Sequence, residues 1–544
     1  MLTPEKAFRM IYGKIKREWK VAFFTCFLLG VVIHMPVLLS DIPNHDGLDS
    51  MYFDQNMITS GRWFLMVACG FSSFYTLPWV IGILGILFLS GTAAALCELL
   101  EIRKTWAVVL ASGLLASFPA LASTFAYVFT LDGYMLAMLL AVLAVLFTKK
   151  YTKGYLPGAV CLAFSMGIYQ AYLSFAMILS IFAILMLFAG EKVGSVQLAG
   201  KKTGSVRKAG IKAGNAQSAG EKAEILWALH YLYMGVLGAG LYLVLLQVLL
   251  KVQGKVLADY QGIDGMMSGT AGESGILRSV VNMYRDFFAF TFKGNVLFQN
   301  VISLLACMLL GIIATVGAVL LMRNRKYWKN PVRLVIIVLA VLVLPLATNI
   351  ILLISPSVTY HLLMRYQWVL YLIGVVALVS GSDFGKVGIW LEWAACLGAF
   401  VLVFSYGITD NIAYSNLQKR YEKTYAYCVR LLDRIEQTEG YYPGIPIAMI
   451  GVVGDEQYPT TDLTLAVTSN MIGMNGDSLL YRGDNYRLFI RNYLGATLNI
   501  LPAEAMEEMY YSQEYIAMDS FPGADSIRII DGVMYIKTEN ATTR

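Results

Sequence analysis

Residues 21–40 read VAFFTCFLLGVVIHMPVLLS, twenty positions without a charge. At about 1.5 Å per residue such a helix crosses the roughly 30 Å of hydrocarbon in a bilayer. Lys6, Arg9, Lys14, Lys16, Arg17 and Lys20 precede it and no small-residue cleavage site follows, so the segment reads as a retained first span rather than a signal peptide. Behind it comes DIPNHDGLDSMYFDQNMITSGRW at 41–63. A basic amino terminus stays in the cytoplasm, which sends this carboxylate-rich loop, Asp41 to Arg62, to the outer side.

Working outward, the same pattern recurs. Of the 544 residues 58% are hydrophobic and only 14% charged, and the mean hydropathy is +0.62, a mix that one soluble core does not explain. Apolar runs of roughly 20 residues suggest about eleven spans: 21–40, 77–97, 106–122, 131–148, 156–170, 172–189, 225–250, 296–322, 333–354, 366–380 and 387–406. Arg103/Lys104, Lys149/Lys150/Lys153, Arg323/Arg325/Lys326/Lys329/Arg333 and Lys386 then all fall on the cytoplasmic side. The segments 41–63, 123–130, 251–295, 355–365 and everything beyond about 407 fall outside. The net charge of +6 is spent on topology, so no nucleic-acid partner is expected.

The expected fold is an α-helical polytopic membrane protein with a transmembrane domain over 1–406 and an extracytoplasmic soluble α/β domain over 407–544. Within the first, 191–220 repeats every ten residues as EKVGSVQLAG, KKTGSVRKAG and IKAGNAQSAG. Small residues and Lys build no apolar face, so 191–224 reads as a flexible, basic cytoplasmic linker. In the second, a helix is expected near 411–438 and a strand at 445–453, and Asp531-Gly532 between two β-prone runs signals a hairpin. The seven cysteines form no CxxC pair and imply neither a disulfide framework nor a zinc site.

Chemistry is sought where polar residues gather at the outer side. The first loop holds Asp41, His45, Asp46, Asp49, Asp54 and Arg62. Leu48, Met51 and Tyr52 share one helical face, which suggests a short helix along the membrane interface. Asp46 or Asp49 could cap that helix, or serve as a general base with Arg62 as the partner of an anion. Other outer helix ends supply Asp132, Tyr169, Gln170, His361, Arg365 and Tyr366 as candidate substrate-binding groups. Arg365 defies the positive-inside bias and points to an anion; Asp132 also suits a helix cap. The spans hold few charges, which disfavours a proton-coupled pump. No HExxH, GxSxG or dinucleotide fingerprint is present. No cofactor is therefore expected, and a divalent metal is left open.

Asp46 and Asp49 followed by Gly61-Arg62-Trp63, GIYQ at 167–170, the Arg365-Tyr366 segment and a tail with FPG and SIRIIDGVMYIK together resemble the bacterial serotype-converting O-antigen glucosyltransferases (Gtr type), within the GT-C class of lipid-linked sugar transferases. The resemblance implies a GT-C-like bundle in the bacterial cytoplasmic membrane and an inverting transfer of glucose from undecaprenyl phosphate glucose to a surface polysaccharide hydroxyl on the outer leaflet. It implies Asp46 first and Asp49 second as the base, and Arg62 and Arg365 as donor-phosphate partners. A polyprenyl-phosphate-sugar donor, a glycan acceptor, the bilayer, and a donor synthase and flippase upstream are the partners it brings. The loop reads His45-Asp46-Gly47-Leu48-Asp49 where the family pattern has adjacent aspartates, so the choice of base stays open. A lipid-linked glycan flippase or exporter, or a polysaccharide polymerase or ligase, are the alternatives.

Overall fold

A computed structural model describes residues 3–43, 45–49, 56–70, 75–189, 213–258, 276–293, 296–355, 358–450 and 483–538, with positions 468, 471 and 480. The chain starts with an amphipathic helix α1 (Pro4–Lys14), capped by Thr3, and the first apolar helix α2 (Arg17–Leu39). The loop carries the short helix α3 (His45–Asp49), and α4 (Leu65–Cys69) follows it. Then follow α5 (Pro78–Leu99), α6 (Thr105–Ser117), α7 (Pro119–Phe125), α8 (Leu131–Lys150), α9 (Tyr155–Ile168), α10 (Tyr172–Ala189) and α11 (Ala213–Gln253). The second half of the bundle is α12 (Ile276–Lys293), α13 (Val301–Arg325), α14 (Pro331–Thr348), α15 (Ile351–Ile354), α16 (Val369–Gly381) and α17 (Gly385–Glu436).

Among the described residues, eight helices are long and apolar enough to cross a membrane, nine with the α6–α7 pair, which bends by 46°. The remaining two expected spans coincide with shorter apolar helices, Tyr155–Ile168 and Tyr366–Gly381. The protein is thus a multi-pass membrane protein. α2 packs on α5 and α6, α5 on α8, α8 on α9, α9 on α11, and α17 on α6 and α13. Basic side chains collect at one end: Lys16, Arg103, Lys150 and the Trp19 indole converge on the Glu98 carboxylate at 2.7, 2.9, 3.6 and 2.9 Å. Lys104 pairs with Glu392 at 2.6 Å on the same side. The described residues of the Asp41–Arg62 loop follow the other end of α2, called the loop end below.

Three expectations change. Of the linker, 191–212 lie outside the described residues, whereas 213–224 form the first turns of α11. Helix-forming Ala, Glu and Lys after position 212 favour this continuation. Residues 251–295, drawn as an outer loop, contain the 18-residue helix α12. Finally, the last span and the helix near 411–438 are one 52-residue helix, α17, at about 78 Å far longer than a bilayer core is thick.

That helix ends in a small module. Its four-stranded sheet has the order β2-β1-β4-β3, with β1 (Pro446–Ile450), β2 (Asn499–Ile500), β3 (Ile527–Ile530) and β4 (Val533–Lys537). β1 runs parallel to β2 and β4, and β3–β4 is an antiparallel hairpin in which Ile530 faces Val533. Asp531 and Gly532 have φ of 50° and 80°, the doubly left-handed turn expected of Asp-Gly. The core of the module comprises Tyr427, Leu431, Ile447, Tyr486, Phe489, Met534 and Ile536, and Leu48 of α3 belongs to it.

Candidate functional site

The two short motifs of the first half meet at the loop end. After the turn Ile58–Ser60, Gly61 adopts φ 78°, a left-handed conformation that costs other L-residues about 1 kcal/mol or more. A Cβ there would lie 2.5 Å from Gln170 Nε2 and 2.6 Å from the Tyr242 hydroxyl. Those two side chains close over the turn: Gln170 Nε2 donates to Ser60 O at 3.0 Å and to Tyr242 Oη at 3.1 Å, while the Tyr242 hydroxyl donates to Gly61 O at 3.1 Å. Next, Phe64 N–H donates to Gly167 O at 2.8 Å. The Trp63 ring fills the space beside Gly167, where a Cβ would come within 2.6 Å of it. Gly61-Arg62-Trp63 and Gly167-Ile168-Tyr169-Gln170 are therefore one interlocked unit.

The unit aims Arg62. Its guanidinium lies 4.8 Å from the Tyr169 ring centroid and its Nη1 donates to Tyr134 Oη at 3.4 Å. Tyr134 and Tyr169 stack at 4.6 Å and 9°, and Tyr172 meets Tyr169 edge-on at 6.1 Å. A half-buried cation over an aromatic floor has the chemistry to attract an anion. Asp132, the second residue of α8, is fully buried and accepts the N–H of the next residue, Gly133, at 2.9 Å; the cap position itself is Thr130, with no side-chain cap bond. Tyr169 and Gln170 thus build the cradle, and Gln170 acts as a clamp.

Arg365 is placed differently from expectation. Instead of offering its guanidinium freely to a phosphate, it makes a two-pronged ion pair with Asp286 of α12, at 2.7 and 2.8 Å. It donates as well to Tyr360 O at 3.2 Å and lies 3.8, 4.6 and 5.5 Å from the rings of Tyr360, Phe290 and Trp368. His361 directly precedes the turn Leu362–Met364, makes no side-chain cap bond to it, and is half-buried. Tyr366 is buried, stacks on Phe175 at 6.1 Å and donates its hydroxyl to Leu115 O. It serves to hold the bundle together, with no surface open to a substrate.

The carboxylate loop bridges the bundle and the module. α3 packs against the helix Gly483–Phe489, and Leu48 is 1% exposed in the module core, so α3 docks on protein instead of lying along a lipid interface. Asp46 on α3 is exposed. The side chains of His45 and Asp49, and all of Met51, Tyr52 and Asp54, lie outside the described residues. Asp41 and Gly47 share the wall of a pocket with Thr76, Pro78, Ala126 and Val128. Partial burial there raises the Asp41 carboxyl above the ordinary aspartate range. Burial, and after it the nearby Asp41, raise the Tyr493 phenol of the module.

Two further features escaped the sequence reading. One is Asp286, whose partner is 79 residues away. The other lies at the α6–α7 break, where Pro119 lacks an N–H and leaves carbonyls of α6 without intrahelical donors. Tyr366 caps Leu115 O, and His34 Nε2 meets Ala116 O at 2.9 Å. A ring nitrogen facing a carbonyl carries the proton, so His34 Nδ1 accepts from the Tyr414 hydroxyl at 2.6 Å. One turn earlier on α17, Asp410 is fully buried with neither carboxylate oxygen hydrogen-bonded among the described residues. An unpaired aspartate beyond an apolar run was the only signal available. No cluster of three or more His, Cys, Asp or Glu side chains suited to a metal occurs among the described residues.

No curated protein and no solved structure matches the chain. Residues 35–203, which include Asp41, Asp46, Arg62, Asp132 and the interlocked Gly61–Trp63 and Gly167–Gln170 motifs, match the family model of glucosyl transferase GtrII, which supports the resemblance to the Gtr-type serotype-converting glucosyltransferases.

Proposed function

We propose that this protein is an inverting glycosyltransferase that moves a hexose, glucose by its family, from undecaprenyl phosphate sugar to a hydroxyl of a cell-surface polysaccharide on the outer leaflet. The observation that carries the reading is the Arg62 cradle. The family-matched motifs interlock to hold a cation over stacked tyrosines. That cradle, the carboxylate loop and the carboxyl-terminal module all stand at one end of the bundle.

The step needs few groups. The acceptor oxygen attacks the anomeric carbon as the bond from that carbon to the phosphate oxygen breaks, and the bonding pair leaves with the phosphate. A carboxylate of the loop takes the acceptor proton. Asp46 is the first candidate and Asp49 the second; Asp41, with its raised carboxyl in the pocket, joins them. Arg62 faces the phosphate, whose charge grows as the bond breaks, so its attraction strengthens toward the transition state. Phosphate leaves well enough that no separate acid is required. Tyrosines of the module supply faces on which an acceptor sugar can rest; Tyr442 is exposed, while Tyr441 packs partly into the core and Tyr510 and Tyr511 pack edge to face.

Membranes carrying Asp46→Asn, Asp49→Asn or Asp41→Asn in turn, incubated with a panel of polyprenyl phosphate sugars, test the reading. The variant in the base is expected to insert normally and lose transfer by about a hundredfold or more. Full transfer by all three would remove the loop from the chemistry. Transfer from a glycan-pyrophosphate lipid alone would make the protein a polymerase or ligase instead.

A further inference from the structure

The basic end of the bundle is built around one acid. Lys16 ahead of α2, Arg103 behind α5 and Lys150 at the close of α8 converge on the Glu98 carboxylate at 2.7, 2.9 and 3.6 Å. The Glu98 side chain is 9% exposed and each of the three cations 42%, so a buried carboxylate underlies a solvent-facing crown. Three positive charges over one negative leave the crown in excess. The neighbouring pairs Lys104–Glu392 and Lys149–Glu101, at 2.6 and 2.8 Å, are matched one to one among the described residues, so the imbalance is local. The Trp19 indole donates to Glu98 at 2.9 Å, and its ring lies 5.2 and 5.7 Å from the Lys16 and Lys150 ammonium groups. Indole and lysine side by side suit the interfacial level of a bilayer. Next to the crown stands α1, parted from the span α2 by the extended residues Ile15 and Lys16. Its Phe8 and Tyr12 stack at 6.0 Å on one face and are 67 and 49% exposed. Lys20 of α2 lies 3.4 Å from the Tyr12 ring centroid. Every described side chain of α1 except Ala7 is exposed, and its charged residues are Lys6, Arg9 and Lys14 against Glu5.

We propose that this end binds an acidic phospholipid, its headgroup phosphate seated on Lys16, Arg103 and Lys150, with α1 laid beside it in the interface and Phe8 and Tyr12 turned to the acyl chains. The charge excess and the uncovered aromatic pair point to one occupant. A soluble anion would meet the crown but leave Phe8 and Tyr12 in water. A zwitterionic lipid would cover the rings but bring no net charge. A phospholipid with a net negative headgroup does both. Its phosphodiester offsets part of the excess while Glu98, held by Trp19 and the cations, stays in place beneath. By the positive-inside bias this is the cytoplasmic leaflet, where each basic side chain near the surface strengthens attraction to acidic lipid roughly fivefold. A helix of 11 residues is marginal alone in water, so adsorption on the membrane orders α1 and with it the entry into α2. The site is distinct from the Arg62 cradle and does not depend on the transfer reaction.

The test places the full chain in phosphatidylcholine nanodiscs doped with phosphatidylglycerol and counts bound phosphatidylglycerol by native mass spectrometry. Lys16→Gln and Lys150→Gln are each expected to weaken that binding about fivefold. Lys104→Gln, from a matched pair, is expected to leave it as it is. A loss in Lys104→Gln equal to that in Lys150→Gln would make the attraction a diffuse property of the basic end and overturn the crown. Unchanged binding in folded Lys16→Gln and Lys150→Gln overturns it as well, and so does displacement of the lipid by millimolar inorganic phosphate, which would make the ligand a soluble anion. Should the variants fail to fold, hydrogen exchange over Pro4–Lys14 in the unaltered protein decides. Slower exchange with phosphatidylglycerol present than in phosphatidylcholine alone is expected, and equal exchange overturns the proposal. Sugar transfer enters none of these readouts, so the lipid site and the enzyme reading stand or fall separately.

Discussion

Gly61 shows how much rests on single atoms at the loop end. Its left-handed backbone and the closeness of Gln170 and Tyr242 leave no room for a methyl group. Gly61→Ala is expected to cost about 2–4 kcal/mol, combining backbone strain with overpacking, and to release Arg62 from its aromatic floor. Thermal unfolding in detergent reads the first effect, and loss of transfer with normal insertion reads the second. Residue roles were legible where the partner is local. Asp132 read as a group at a helix start, and it does take a free N–H of the first turn, that of Gly133, although the cap position is Thr130. Arg365 read as an anion receptor because an arginine at the outer side defies the positive-inside bias. Its carboxylate comes from α12, a helix inside the stretch 251–295 that the alternation of spans assigned only as an outer segment.

Among the elements, the break between α6 and α7 is the most consequential. A proline inside an apolar run is visible in the sequence, yet what satisfies the freed carbonyls is not. Tyr366 from α16's entry and His34 from α2 both reach in to do so. Tyr366→Phe is expected to leave the Leu115 carbonyl buried and unpaired, at a loss of about 1–3 kcal/mol, measured as a lowered unfolding midpoint in detergent. A midpoint equal to that of the unaltered protein would mean that another donor takes over. The β3–β4 hairpin is the converse case. Asp531-Gly532 announces a turn whose two residues must both take positive φ, and they do, because hairpin geometry is set by four or five adjacent residues. The 52-residue α17 was cut in two by sequence reading, since polarity changes at Tyr406 while helical propensity does not.

Across the whole molecule, the carboxylate loop is held from both sides, by the bundle through the Gly61 turn and by the module through Leu48. α17 joins those same two bodies as one continuous helix. Leu48→Ala is expected to weaken docking of the loop on the module by about 2–4 kcal/mol. Faster hydrogen exchange over residues 41–49 and at Gly483–Phe489 would register that loss, while exchange at Arg17–Leu39 stays as it is. Equal exchange at all three would mean that the loop is held from the bundle alone.

The sequence by itself determined that the chain is a multi-pass helical membrane protein with a small sheet near its end, because hydropathy and turn chemistry are properties of short contiguous windows. It also brought out the motifs Gly61–Trp63 and Gly167–Gln170, which lie within the stretch 35–203 that matches the GtrII family model. Only the tertiary structure decided that these motifs clasp each other, that Leu48 belongs to the module core, and that Asp286 occupies Arg365. Each of those facts is a contact between residues dozens to hundreds of positions apart. Such contacts are selected by how whole helices pack, and no local pattern of charge or hydropathy encodes them.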